Sequence, residues 1–213
     1  MRYYCHIVNT RDKGTVKKAR NVRTGEGVLE GLVCGVDEAG RGPIAGPVAA
    51  AAVILPPDFP GGILADSKAL SEKRRESAAA TIRARAVAWA VGWATHEEID
   101  SLNIHKATLL AMRRAVESLA VRPTRVLVDG LFCPETGIPS TAIVKGDGKV
   151  PQIMAASIIA KTARDAWMKE YSRVEPAYGF EKHKGYPTVQ HRAAVLRIGP
   201  SRIHRRSFRI SPS

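Results

Sequence analysis

The chain has 213 residues, which is enough to bury one hydrophobic core but short for two independent domains. Its composition, 45% hydrophobic and 25% charged, excludes a chain that is too polar to fold. No apolar run approaches the roughly 20 residues that span a bilayer, and the amino terminus lacks the apolar stretch of a secretory signal. Its few, widely spaced cysteines indicate neither a disulfide framework nor a zinc site. We therefore expect a monomeric, cytoplasmic protein that does not bind membranes.

The net charge of +13 is concentrated at the two ends of the chain. Residues 1–27 carry a net charge of +5, residues 197–213 carry another +5, and the residues between them carry only +3. Basic ends on a nearly neutral core suit contact with phosphates, but they are equally typical of segments that only confer solubility. The charge therefore favours a polyanionic partner without establishing one.

The first half of the chain alternates predicted strands and helices. Residues 1–27 show no periodic pattern and are predicted to be a flexible basic extension. The folded part, residues 28–213, opens with the strand LVCGVDE, the turn GRGPIAGP and the strand PVAAAAVIL. A helix with Ser71 as its N-cap follows, then the strand AVAWAVGWAT and a helix that opens at Asn103.

The second half carries two short apolar runs, RVLVDG and TAIVKGDG, which are predicted strands that end in Asp-Gly. The segment PQIMAASIIAKTARDAWMKEY is predicted to be a long helix with Pro151 in its first turn. One more helix after Pro187 and a basic tail complete the chain. Strands interleaved with helices predict an α/β or α+β sheet with helices packed on it.

Four carboxylates stand where apolar runs end: Asp37, Glu38, Asp129 and Asp147. If those strands are neighbours with a suitable direction, the acids meet at one rim of the sheet, where open sheets commonly bind ligands. Carboxylates at such short range repel one another, and a divalent metal ion relieves the repulsion. Oxygen ligands suit Mg²⁺ or Mn²⁺, and a pair of these ions can activate water for hydrolysis of a phosphodiester.

Two features of the acids leave this interpretation open. Asp-Gly is a common turn signal, so Asp129 and Asp147 could serve only as turn formers. Adjacent strand residues point to opposite faces, so Asp37 and Glu38 need a bend in the chain to face one metal pair. Gly40 and Gly42, just beyond, can adopt backbone angles closed to other residues and are the expected source of that bend.

Five segments, in this order, closely resemble bacterial type 2 ribonuclease H (ribonuclease HII): VDEAGRGPIAGPV, LADSKALSEKRR, VDG, KGDGKVPQIMAASIIAKTARD and YGFEKHKGYPT. The resemblance extends from about Val28 to Phe208. It implies a ribonuclease H-like fold, in which helices flank a central mixed sheet and a small helical segment lies at the carboxyl end. It also implies two bound Mn²⁺ or Mg²⁺ ions, with the family's metal-binding carboxylates on the four acids already selected.

The resemblance further implies an endonuclease that acts on RNA/DNA hybrids and on DNA duplexes that contain ribonucleotides. Such an enzyme cuts on the 5′ side of the ribonucleotide and leaves 3′-hydroxyl and 5′-phosphate ends, with water as the nucleophile. Gly40, Arg41 and Gly42 match the segment that reads the 2′-hydroxyl, largely through backbone groups. Tyr186 matches the tyrosine that packs against the sugar at the RNA-to-DNA junction.

Further polar residues are candidates for contact with the phosphate backbone. Ser157 and Lys161 lie four residues apart, hence on one helix face, and could hold a phosphate. Ser67 and Lys68 are candidates for the same task. Asp165 is expected to pair with Lys161 rather than to bind metal.

Two other functions compete with this interpretation. A nuclease of the same fold could act on another DNA substrate, as an exonuclease or a junction resolvase does, although the GRG and HKGY segments argue against it. A non-catalytic basic protein could coat nucleic acid and use its acids only in turns. Magnesium-dependent nicking at a single ribonucleotide would distinguish the first interpretation from both.

Overall fold

The computed structural model describes residues 31–64 and 71–209. The predicted extension, residues 1–27, and the predicted phosphate contacts Ser67 and Lys68 lie outside the described residues. Among the helices of the described ranges, none is both long enough and apolar enough to cross a membrane.

The centre of the fold is a mixed five-stranded sheet. Its strands are β1 (Val33–Ala39), β2 (Val48–Ile54), β3 (Ala88–Ala94), β4 (Arg125–Asp129) and β5 (Ser140–Ile143). They lie in the order β3-β2-β1-β4-β5. Strand β2 is antiparallel to both β1 and β3, whereas β1, β4 and β5 run parallel to one another. The carboxyl ends of those three parallel strands therefore lie at one edge of the sheet. This is the arrangement that the predicted cluster of acids needs.

Six helices surround the sheet in the described part of the chain. They are α1 (Glu72–Arg85), α2 (His96–Leu102), α3 (Ile104–Glu117), α4 (Pro151–Ser172), α5 (Phe180–His183) and α6 (Val189–Ile198). Short 3-10 turns lie at Gly61–Ile63, Gly146–Gly148 and Pro176–Tyr178. The mixed sheet with flanking helices confirms the predicted fold class.

Alternation along β1 and β2 divides the core between the two faces of the sheet. Val36 and Ala50 pack on the face covered by α3, whereas Ala51 and Val53 pack on the face covered by α1 and α4. Gly35 lies on the α4 face, where an added Cβ would stand 2.1 Å from the backbone of Gln152. The missing side chain lets α4 lie directly against β1, two residues before Asp37.

Both predicted helix caps are confirmed, but helices α2 and α5 are missing from the prediction. The Ser71 hydroxyl accepts a hydrogen bond from the Arg74 amide, and the Asn103 side chain accepts two bonds from the first turn of α3. Helix α2 was not predicted, although Thr95 and Glu98 form a capping box that opens it. This T-x-x-E pattern is the signal that would have revealed the helix.

Part of the predicted basic tail, within residues 201–209, packs into the protein, whereas Arg202, Arg206 and Arg209 are exposed. Ser201, Ile203, His204 and Arg205 are buried, and Ala45 pairs with His204 in an antiparallel bridge. Arginine content suggested a solvated segment because arginine is rarely buried without a partner. Here backbone carbonyl groups are the partners that permit burial.

Candidate active site

Three of the predicted acids meet at the carboxyl edge of the parallel strands. Asp37 lies near the end of β1, Asp129 is the last residue of β4, and Asp147 lies in the 3-10 turn after β5. Each offers one carboxylate oxygen, and the three oxygens lie within 4.8 Å of one another. The parallel direction of the strands and the turn after β5 therefore bring the three acids together, although Asp37 lies 92 positions before Asp129 in the sequence.

Asp37 lies in a buried site that disfavours its charge. Only 5% of the residue is exposed. Burial raises the pKa of this carboxyl well above its usual range, and the charges of Glu38 and Asp129 raise it further. A hydrogen bond from the Ser157 side chain on α4 acts in the opposite direction. The charged form of Asp37 therefore needs a compensating positive charge.

Backbone amides orient Asp129 towards Asp147. The Asp129 Oδ1 atom accepts hydrogen bonds from the Gly146 amide at 2.7 Å and the Asp147 amide at 3.3 Å. Gly146 packs closely against Ile153, because an added Cβ at residue 146 would stand 2.7 Å from the end of that side chain. The turn after β5 is therefore held against the end of β4, which fixes the separation of the two acids.

Glu38 lies outside this group of three but next to it. It pairs with Ala50 in a regular stretch of β1, so its side chain leaves the strand on the face opposite to Asp37. Burial and the charge of Asp129 raise the pKa of Glu38, while Arg41 lowers it through a 3.2 Å hydrogen bond. The predicted bend lies one residue beyond the strand, at Gly40, where φ is +99°.

The donor set fits a hard divalent cation. All the candidate ligand atoms are carboxylate oxygens, which Mg²⁺ and Mn²⁺ prefer over the softer nitrogen and sulfur ligands of zinc. Burial raises the pKa values of Asp37 and Glu38, and the charge of the neighbouring Asp129 raises them further. A bound cation would relieve both the repulsion and the cost of burial.

The predicted sugar-reading residues lie together beside α4. An added Cβ on Gly42 would stand 3.5 Å from the Tyr186 ring, which is an ordinary contact distance. Tyr186 is 42% exposed, and the Lys161 ammonium lies 5.8 Å from the centroid of its ring. Arg41 is exposed and points its guanidinium towards Glu38. One surface therefore joins the glycine-rich turn, the tyrosine and α4.

One face of α4 connects the acids to this surface. Ser157 contacts Asp37, and Lys161, one turn later, lies over Tyr186. Lys161 also donates a 2.8 Å hydrogen bond to Asp165, so the predicted ion pair is present. These contacts place both predicted phosphate-binding residues between the acids and the tyrosine.

Two buried arginines near the site were not selected from the sequence. Arg164 of α4 donates to the carbonyls of Ala45, Pro47 and Lys184. Burial lowers the pKa of Arg164 to about 10, which leaves the group charged at neutral pH. Gly40 is pressed against this side chain, since an added Cβ would stand 2.0 Å from its Nε atom. No local pattern reveals the Ala45 and Pro47 partners, because they lie more than 100 positions away in the sequence.

Arg205, in the segment that follows α6, holds the same turn from another side. It donates to the carbonyls of Gly40, Arg41 and Gly46 at 2.6, 3.0 and 2.9 Å. Burial lowers the pKa of Arg205 to about 9, with the charge of Arg164 adding to the effect. The glycine-rich turn is thus held by two guanidinium groups.

Comparison with known proteins identifies the family. The Ribonuclease HII family model matches residues 34–211. The ribonuclease HII of Dechloromonas aromatica is 60% identical over 178 residues, which cover 84% of this chain and 91% of that protein. The ribonuclease HII of Nitrosospira multiformis is 58% identical over 176 residues, which cover 83% of this chain and 88% of that protein.

A solved structure agrees with the sequence comparison. The crystal structure of the ribonuclease H2 from Pyrococcus horikoshii OT3 matches with a TM-score of 0.70 and 25% identity, over 84% of this chain and 94% of that chain. The shared fold supports the same family assignment as the family model, which covers most of the sequence. The chain belongs to the ribonuclease HII family, a family of hydrolases that act on RNA in RNA/DNA duplexes.

Proposed function

We propose that this enzyme cuts a DNA duplex on the 5′ side of an embedded ribonucleotide and also degrades the RNA strand of RNA/DNA hybrids. The products would carry 3′-hydroxyl and 5′-phosphate ends, and the cut would initiate removal of the ribonucleotide. One observation carries the proposal: three carboxylates from the ends of three neighbouring strands converge within 4.8 Å. The exposed surface around Gly42 and Tyr186, reached along α4, supports a site that reads the sugar next to these acids.

Asp37, Asp129 and Asp147 would hold Mg²⁺ or Mn²⁺, with Glu38 completing the set. When bound, such ions lower the pKa of a water molecule and stabilise the charge that develops on the phosphate and the leaving oxygen. The amides of Gly146 and Asp147 keep Asp129 oriented towards the group. The Ser157 side chain interacts with the Asp37 carboxylate and favours its charged form, because it lowers the pKa of Asp37. The protein thus supplies a preorganised set of oxygen ligands at one edge of the sheet.

Recognition of the sugar would involve the turn and the tyrosine. Arg41 and Gly42 lie on the surface, so their backbone amides can approach a 2′-hydroxyl group. The Tyr186 ring would pack against the next sugar, which in a junction lacks that hydroxyl. Ser157 and Lys161 lie between this surface and the acids, where the scissile strand would place a phosphate.

An incision assay tests the proposed function. The substrate is a labelled DNA duplex with a single ribonucleotide, and the matched control is the same duplex with deoxyribose at that position. We expect Mg²⁺-dependent or Mn²⁺-dependent nicking of the first duplex only, one bond to the 5′ side of the ribonucleotide. Ligation of the product ends shows whether a 5′-phosphate is present. Nicking of both duplexes, or of neither, would refute the proposal.

A further inference from the structure

The Arg205 guanidinium donates hydrogen bonds to backbone carbonyls of the glycine-rich turn, residues 40–47, which is the turn proposed to read the sugar. Its Nη2 atom donates to the Gly40 carbonyl at 2.6 Å, and its Nη1 atom donates to the Arg41 carbonyl at 3.0 Å. The Nε atom donates to the Gly46 carbonyl at 2.9 Å. Only 1% of the residue is exposed. These bonds therefore lie inside the protein, beneath the surface that carries Gly42 and Tyr186.

Several contacts fix the position of Arg205. The Arg205 amide donates to the Ile44 carbonyl, and the Gly46 amide donates to the Ile203 carbonyl, both at 2.9 Å. The Phe208 ring lies 4.9 Å from the guanidinium carbon. On α2, the Asp100 carboxylate accepts hydrogen bonds from the amides of residues 206 and 207 at 2.9 Å. The segment is thus tied to the turn on one side of Arg205 and to α2 on the other.

The hydrogen bonds from Arg205 also determine where the backbone amides next to the bonded carbonyls point. In a planar trans peptide, the C=O and the following N–H point in opposite directions. A Gly40 carbonyl that points inward at Arg205 therefore directs the Arg41 amide outward. The Arg41 carbonyl, which also points at Arg205, likewise directs the Gly42 amide away from the guanidinium. Arg205 holds both peptide planes at once.

We propose that Arg205 is a positioning residue for ribonucleotide recognition, because it aims the Arg41 and Gly42 amides at the sugar's 2′-hydroxyl. The inference rests on the proposed function, in which this turn reads the sugar. It assigns to Arg205 no contact with substrate or with the reacting atoms. Its effect is on the choice between ribose and deoxyribose.

Arginine suits this task better than lysine. Its planar guanidinium carries five N–H donors in fixed directions, so one side chain can hold several carbonyls in a set geometry. A lysine at position 205 keeps the positive charge but offers a rotating ammonium that cannot fix two peptide planes together. Arg205→Lys therefore separates the geometric role from the charge.

The test compares affinities for two duplexes that differ by one hydroxyl group. Ca²⁺, which also takes oxygen ligands, replaces Mg²⁺, and gels confirm that the duplexes stay uncut. The selectivity is the ratio of Kd for an all-DNA duplex to Kd for the same duplex with one ribonucleotide. For Arg205→Lys we expect this ratio to fall by about tenfold, as loss of aligned hydrogen bonds implies, with little change in affinity for the all-DNA duplex.

Ile203→Val is the matched control for loss of stability. Ile203 is buried two residues from Arg205, and its backbone carbonyl, which binds Gly46, is unchanged by the substitution. We expect Ile203→Val to lower the Tm but to keep the parent's ratio. A parent-like selectivity ratio in folded Arg205→Lys would overturn the inference. An equal loss of selectivity in Ile203→Val and Arg205→Lys would also overturn it. A parent protein without preference for the ribonucleotide would instead refute the proposed function.

Asp100→Ala provides a second route if Arg205→Lys does not fold. The substitution removes the carboxylate that holds the segment after Arg205 but leaves the guanidinium in place. We expect a smaller loss of selectivity, about threefold, because the arginine would be less firmly held. Parent-like selectivity in a folded Asp100→Ala variant with a lower Tm would contradict the inference.

Discussion

His191 and His204 face each other in the interior, with their Nε2 atoms 3.1 Å apart. The Ser201 amide donates to the His204 Nδ1 atom, so the proton of that ring lies on Nε2 and is donated to His191. The His191 Nδ1 atom then carries its own proton and donates it to the Tyr186 carbonyl at 2.8 Å. Both rings are neutral in this arrangement. A chain of hydrogen bonds thus leads from the carboxyl-terminal segment to the tyrosine of the candidate site.

The first prediction concerns stability at acidic pH. Burial lowers the pKa of His191 from 6.5 to about 4. As pH falls, the unfolded state therefore binds a proton at His191 below pH 6.5, whereas the folded state binds it only near pH 4. The free energy of unfolding decreases as pH falls between these two values. Above pH 6.5 the contribution of His191 is fully present. Between pH 7 and pH 5 we expect a loss of about 2 kcal/mol from this group.

Urea unfolding of the parent and of His191→Asn isolates this contribution. Asparagine can still donate to the Tyr186 carbonyl but does not titrate. The comparison is needed because Asp37 and Glu38, whose pKa values are raised by burial, stabilise the fold as pH falls. The free energy of unfolding should fall more steeply in the parent than in the variant. Parallel pH profiles would show that His191 is not held neutral.

The second prediction is that Asp129→Asn abolishes cleavage but not folding or duplex binding. The asparagine oxygen can still accept the amides of Gly146 and Asp147, so the turn after β5 should persist. Removal of the charge weakens cation binding, and several kcal/mol of transition-state stabilisation correspond to about a 1,000-fold loss of cleavage rate. Calorimetric titration with Mn²⁺ should show weaker binding. The control is Glu135→Gln, which removes the charge of an exposed acid outside the site. Near-normal nicking by Asp129→Asn would show that Asp129 does not belong to the site.

The acids could be found from the sequence because their signal is local. An acid at the end of an apolar run marks the end of a strand, and three parallel strands share one edge. The exact grouping could not be found in this way. Asp147 joins the group of acids only because Asp129 holds the turn after β5. Glu38 lies outside the group because β1 remains a regular strand at this residue.

The support beneath the glycine-rich turn could not be found from the sequence. Arg205 lies 165 positions from Gly40, and its arginine-rich surroundings indicated only a basic tail. Its burial follows from a short bridge between Ala45 and His204, for which neither strand pattern nor spacing gives a sign. Such long-range pairing between irregular segments depends on the packed fold rather than on local propensity.

The third prediction is that Lys161 contributes one phosphate contact. Lys161→Met should weaken binding to every duplex and reduce the slope of log affinity against log salt by about 0.9. Lys169→Met is the control, because Lys169 lies two turns further along α4 and pairs with Glu72. A parent-like slope in Lys161→Met would mean that the lysine serves only its ion pair with Asp165.

The last prediction concerns Tyr186 and the type of substrate. A continuous hybrid presents ribose on both sides of the scissile region, whereas a single ribonucleotide presents a junction. Tyr186→Ala should therefore reduce the single-turnover rate on the single ribonucleotide about tenfold more than on the hybrid, which corresponds to roughly 1.4 kcal/mol of lost contact. Tyr186→Phe keeps the exposed ring and should retain most of the preference.

The backbone at Tyr186 provides the matching test of this role. Its carbonyl is held by His191, so His191→Ala should loosen the ring without removing it and shift the same ratio in the same direction, by a smaller factor. Val189→Ala, at a nearby exposed residue, is the control that should leave the ratio unchanged. Equal losses on both substrates in Tyr186→Ala would show that the ring supports the fold or general binding. In that case the junction must be read by the glycine-rich turn alone.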